Sequence, residues 1–186
     1  MACDITRGRL IDCKDTIGGL KAIYICKNYN NNISAVATIN ATEMTTAGFA
    51  TWSGQSGSAT TVFKYDLVPN LSNMNVTINS DNANGTTFFT QALSITLQKI
   101  DHDTTNELRL MAYSRAQIFV QDSNDNVFLL GLDNGCYVTG GTVITGTAKG
   151  DLNGYTIEWG AEENNALIQL PASAGPGTAV YPFDGL

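Results

Sequence analysis

The chain has 186 residues, 43% of them hydrophobic and 15% charged, a balance that belongs to a folded protein with one well-buried core. Its formal net charge is −7, and no three of its ten Lys and Arg residues are adjacent, which argues against a protein that grips nucleic-acid phosphates. Low charge with many Thr, Asn and Gly residues fits a β-rich surface better than a helical one.

The first residues, MACDITRGRLIDCKD, hold no apolar signal-peptide core, and nowhere is there a run of about 18 apolar residues. The expectation is a chain made in the cytoplasm without membrane insertion. Cys3, Cys13, Cys26 and Cys136 form no CxxC pair, and the sole histidine, His102, lies far from the first three. Buried free thiols are therefore expected rather than a zinc site or disulfides.

Leu20–Lys27 is the first predicted strand, with Leu20, Ala22, Tyr24 and Cys26 read as its apolar face and the other face mixed. After the turn-forming run Asn28–Asn32, a second strand is expected over Ile33–Ile39. Residues 53–60, SGQSGSAT, are small and polar and read as a loop tip flanked by Trp52 and Phe63. Thr61–Val68 alternates again and stops at Pro69. The Asn84-Gly85 pair predicts a two-residue hairpin turn between arms at Met74–Ile78 and Phe88–Gln98.

One helix is expected. Thr104-Thr-Asn-Glu107 has the capping-box pattern, Leu108, Met111 and Ala112 fall on one face, and Arg115 sits at the negative end of the dipole. Ala116–Gln121 and Asn126–Leu132 then read as strands joined by a turn, and Asn153–Gly160 as another, with Tyr155, Ile157 and Trp159 in phase. Residues 131–160 carry eight glycines among alternating β-branched residues. Neither GxGxxG before a helix nor GxxxxGK[ST] occurs, so these glycines are assigned to turns and close backbone packing rather than to a phosphate cradle. The tail, 171–186, is rich in Pro and Gly and ends in Tyr181 and Phe183, rings that need a docking place.

The elements add up to about nine strands and one short helix in a single domain, 1–186, most economically an antiparallel two-sheet sandwich or partly closed barrel with a flanking helix. Catalytic patterns are missing. His102 lies between Asp101 and Asp103 in a polar corner and reads as a solvated turn, with no second histidine, nucleophile elbow or HExxH to complete a site. Glu162-Glu163, Asp12 with Asp15, and Asp122 with Asp125 are paired carboxylates, but the aromatic enrichment of a sugar cleft is absent. Asp122–Asp125 lacks the Gly and terminal Glu of an EF-hand loop and reads as a hairpin turn. No cofactor, metal or catalytic residue is expected.

The order of elements resembles the phage tail tube protein family and its relatives in contractile injection machines. The features that carry the likeness are the loop-tipped region Trp52–Val62, the helix TNELRLMAYSR (105–115) set between LSITLQK (93–99) and AQIFVQ (116–121), and the late module TGGTVITGTAKGDLNGYTIEW (139–159). The resemblance implies a self-assembling structural protein of the virion tail: identical subunits in rings, commonly hexameric, stacked into a hollow tube around passing DNA. Its partners would be itself and other virion tail proteins, with DNA as weakly contacted cargo. An acidic channel suits that role, since it lets DNA slide where a basic one would hold it. Ser94, Thr96, Gln98, Thr156 and Glu158, opposite the apolar phases of their strands, are the expected channel-facing residues. Trp52, Phe63, Phe88, Phe89, Tyr181 and Phe183 are the expected interface aromatics. The alternatives are another virion part (capsid decoration, tail terminator or fibre-base protein) and a β-sandwich module that binds carbohydrate or another ligand.

Overall fold

A computed structural model describes residues 8–9, 14–26, 62–170, 173–175 and 178–180. The fold is mainly β, with two antiparallel sheets, a separate two-stranded hairpin and one helix among the described residues. In chain order the strands are β1 (Leu20–Cys26), β2 (Val62–Asp66), β3 (Asn73–Asp81), β4 (Thr86–Gln98), β5 (Ile118–Asp122), β6 (Val127–Leu130), β7 (Tyr137–Ile144), β8 (Gly154–Glu163), β9 (Ile168–Leu170), β10 (Ser173–Gly175) and β11 (Thr178–Val180); helix α1 (His102–Tyr113) lies between β4 and β5. One sheet has the order β2-β1-β5-β6-β9 and the other β3-β4-β8-β7, while β10 pairs β11.

The two larger sheets close face to face on one core. Ile23, Ile25, Ile118, Val120 and Leu130 from the first meet Leu93, Ile95, Tyr155, Ile157 and Trp159 from the second. Alternation makes this possible: successive strand side chains point to opposite faces, so every second residue of β4 and β8 reaches the core. Leu108 and Met111 of α1 pack against the same cluster.

Three sequence expectations are corrected. In β1 the residues facing the second sheet are Leu20, Ile23 and Ile25, set in phase by a register shift between Leu20 and Ala22. The expected apolar phase, Ala22, Tyr24 and Cys26, is buried too, so this strand is closed on both faces rather than half-buried. The β3–β4 turn spans four residues rather than two. The Asp81 carboxylate accepts the Ala83 N–H (2.8 Å) and Asn84 N–H (3.4 Å), building an Asx turn, and Gly85 supplies the positive φ (64°) that returns the chain to β4. Finally, the helix starts earlier than the capping box implied. Asp101 is the N-cap, extended (φ −134, ψ 149), with its carboxylate accepting the Thr104 N–H, so His102 becomes the first helical residue and Thr104 lies inside. The expected strand Ile33–Ile39 and the loop 53–60 lie outside the described residues.

Candidate assembly surface

The four-stranded sheet has a second face, turned away from the core, and of its residues only Gly154, at the start of β8, is buried. Register defines what lies there. Thr96 is opposite Thr156, and Thr156 is opposite Thr142, giving a row of three threonines across β4, β8 and β7. The next row runs Asn73, Ser94, Glu158 and Gly140, and a further one Thr77, Thr90 and Glu162. Gln98 stands opposite Gly154 at the end of β8. Thus Ser94, Thr96, Gln98, Thr156 and Glu158 share one sheet face, as the alternation of their strands implies.

The electrostatics of this face are one-sided. Its charged groups are Asp81, Glu158 and Glu162, and none of the four strands places a Lys or Arg on it. Asp81 is held below the usual carboxylate range, chiefly by the Ala83 N–H, then by the Asn84 side chain and N–H. At the opposite end, the Asp151 carboxylate accepts the N–H groups of Ala148 (2.7 Å) and Thr147 (2.9 Å), which lower its pKa in that order. Both acids therefore stay ionised at neutral pH.

Two hollows border the sheet. An open cleft of about 680 Å³ at one end is lined by Leu71, Thr96, Gln98, Lys99, Asp151 and Asn153, among others. A groove of about 460 Å³ runs between α1 and β7, with Leu108, Ala112, Val138 and Val143 in its walls and Gly140 and Gly141 in its floor. Neither brings together a nucleophile and a base. His102 faces Asn106, with Nε2 3.2 Å from its side-chain nitrogen, at the exposed start of the helix. Among the described residues no group of His, Cys, Asp or Glu is arranged to hold a metal ion. No described helix is long and apolar enough to cross a membrane.

The candidate interface aromatics separate. Phe63 on β2 is 45% exposed and Phe88 on β4 is 39% exposed, but Phe88 lies opposite Asn79 on the open sheet face, the same face as the expected channel residues rather than apart from them. Phe89, one residue on, takes the inner phase, opposite Glu163 and Ile78, and is half-buried. Trp52, Tyr181 and Phe183 lie outside the described residues. Cys26 and Cys136 are buried free thiols, and Cys3 and Cys13 lie outside the described residues.

Sequence reading missed the most deeply placed acid among the described residues. Glu162 points outward, but Glu163 is only 2% exposed, and its two carboxylate oxygens accept the N–H groups of Asp133 and Asn134, each at 2.9 Å. Burial pushes its pKa up, against the opposing pull of those two N–H groups. Glu163 thereby clasps the loop between β6 and β7, which Gln91 also holds by accepting the Gly131 N–H (3.0 Å) and Gln117 by donating to the Leu132 carbonyl (3.1 Å). The signal was present: extending the phase of Tyr155, Ile157 and Trp159 by two steps reaches Ala161 and Glu163.

No protein-family model, curated protein or solved structure matches this chain.

Proposed function

We propose that the chain is a structural, self-assembling subunit of a phage tail tube, with the open face of the β3-β4-β8-β7 sheet as the channel wall. The observation that carries this reading is the pair of strands that end that sheet among the described residues. Proteins that stay monomeric defend such edges with Lys, Pro or inward-pointing charges. β3 (NMNVTINSD) has no such residue before its final Asp81, and β7 (YVTGGTVI) has no charge or proline at all, only a bulge near Thr139.

Direction supports the same reading. Each strand in this sheet is antiparallel to the next, so β3 and β7 run in opposite senses. A second copy rotated about an axis along the strands would set its β3 beside β7 of the first and continue the antiparallel order. Such a head-to-tail contact closes into a ring when the rotation closes. The face it would enclose is acidic and largely polar, with Phe88, Tyr137 and Ile144 as its exposed apolar side chains, and its lack of basic groups suits DNA passing without being held.

Size-exclusion chromatography with negative-stain microscopy tests the proposal. Rings or tubes are the expected result. A chain that stays monomeric at high concentration and binds glycans on an array would replace it with the ligand-binding sandwich.

A further inference from the structure

We infer that Asn84 is a modification site: of the chain's three Asn-Gly pairs, it is the one the fold leaves able to cyclise and convert to aspartate or isoaspartate. The pairs are Asn84-Gly85, Asn134-Gly135 and Asn153-Gly154. Each has the same intrinsic chemistry, because glycine carries no side chain to hinder its backbone nitrogen. The Gly nitrogen loses its proton and attacks the Asn Cγ. An N–Cγ bond forms, the Cγ–Nδ2 bond breaks, and the side-chain nitrogen leaves as ammonia with the proton that the glycine gave up. Water then adds to either carbonyl of the succinimide ring and opens it to aspartate or isoaspartate. Water is the sole co-reactant.

What differs is the cost of bringing nitrogen and Cγ together, which requires the local backbone to open. Asn84 and Gly85 are both exposed, at the tip of a hairpin that reaches beyond the end of β8, where pairing with β4 starts only at Phe89. The side-chain bonds of that tip are local ones to Asp81. A side chain placed at Gly85 would meet nothing within 4 Å. Opening this turn disturbs no core residue.

The other two pairs are fixed. Asn134 donates its backbone N–H to Glu163 (2.9 Å) and its side-chain amide to the Glu162 carbonyl (2.6 Å), and its own carbonyl accepts from Arg115 (3.3 Å). Gly135 beside it is buried. At Asn153 the carbonyl accepts the Lys99 N–H (2.7 Å), and Gly154 is buried between Gln98 on β4 and Ile144 on β7. Reaction at either requires opening the clasped loop or the start of β8. Conversion at Asn84 replaces an amide that donates to Asp81 with a second carboxylate beside it. The hairpin tip then gains a negative charge and loses one of the three hydrogen bonds that Asp81 accepts in its turn.

Peptide mapping by mass spectrometry after incubation of the intact chain at mildly alkaline pH reads all three sites. In the folded chain Asn84 should convert at least about tenfold faster than Asn134 and Asn153, while in denaturant the three rates should converge. Asn84→Gln should erase the fast signal. Two results would overturn the assignment: Asn134 or Asn153 converting as fast as Asn84 in the folded chain, or Asn84 staying intact there for a period in which denatured chain converts fully.

Discussion

The Tyr155 hydroxyl and the Asp101 backbone are bound to each other twice. The Asp101 N–H donates to the hydroxyl at 2.9 Å, and the hydroxyl donates to the Asp101 carbonyl at 2.9 Å. Thr105 joins the same cluster, its hydroxyl 2.7 Å from that of Tyr155. A side chain of β8 that is fully buried therefore anchors the N-cap of the only described helix to the core. Tyr155→Phe keeps the ring and removes the anchor, so it should cost about 0.5–1.5 kcal/mol, the net worth of a hydrogen bond whose partners, Asp101 and Thr105, lie at the exposed helix start. Urea denaturation measures it. A midpoint equal to wild type would mean that the helix is held by Leu108 and Met111 alone.

Glu163→Ala should destabilise by about 1–3 kcal/mol by leaving the N–H groups of Asp133 and Asn134 without their acceptor. A pH series separates charge from hydrogen bonding. Burial raises the folded pKa of Glu163 above its usual 4.5, so folding takes up a proton at this site. Its contribution is therefore fully present below about pH 4.5 and is lost as pH rises through the raised value. Glu163→Gln cannot titrate, so its stability relative to wild type should improve across that window. A difference that is flat with pH would show that the carboxylate ionises as it does in the unfolded chain.

Gly154→Ala should be among the most damaging single-methyl additions at the described glycines. The new Cβ would fall inside the contact radius of the Leu97 carbonyl oxygen, a backbone atom that β4–β8 pairing holds in place. The expected cost is about 1–3 kcal/mol from overpacking, read as a lower melting temperature. Gly150→Ala is the control, because its Cβ would meet nothing within 4 Å.

Ile78→Lys tests the proposed junction without touching the core. Ile78 is 67% exposed at the edge of the sheet, so stability should stay within about 0.5 kcal/mol of wild type. A lysine there is the device by which edge strands avoid pairing. Rings or tubes should disappear in negative stain while the melting curve is unchanged. Assembly that persists would exclude the Ile78 end of β3 from the contact.

Cys26 and Cys136 should resist alkylation in the folded chain. Burial pushes the Cys26 thiol up to about 12, and burial with the nearby Glu163 charge raises Cys136 further. In a Cys3→Ser/Cys13→Ser background, iodoacetamide at pH 8 should label neither residue until denaturant is added. Intact-mass measurement reads the outcome.

Much of this architecture was legible because period-two alternation is strong in β4 and β8. Ser94, Thr96, Thr156 and Glu158 could be placed opposite Leu93, Ile95, Ile157 and Trp159 from the sequence alone, and the register sets them side by side. Alternation failed in β1 for a physical reason: both phases of LKAIYIC are apolar, so period alone cannot say which one meets the other sheet. It also missed Glu163, where a carboxylate occupies a core phase and only tertiary N–H donors make it tolerable. The helix start was displaced because two adjacent patterns compete: Asp101 caps, and the Thr104–Glu107 box goes unused. The proposed joining of copies could be argued from the sequence only by resemblance and by aromatics on loops, since a contact between chains leaves no period along one of them.

The pairing of β1 with β5 has a consequence for the order of events during synthesis. Tyr24 and Gln121 touch across 97 positions of sequence, and β1 lies between β2 and β5 in its sheet. β1 leaves the ribosome long before its central partner, apolar on both faces, and must wait while β3, β4 and α1 emerge. The β3–β4 hairpin, with strands joined by a four-residue turn, can form early, whereas closure of the five-stranded sheet waits for a distant partner. Cover for β1 is thus gated by the arrival of β5, and closure of the core waits longer still, for β8, an interval in which the nascent chain is prone to stray association.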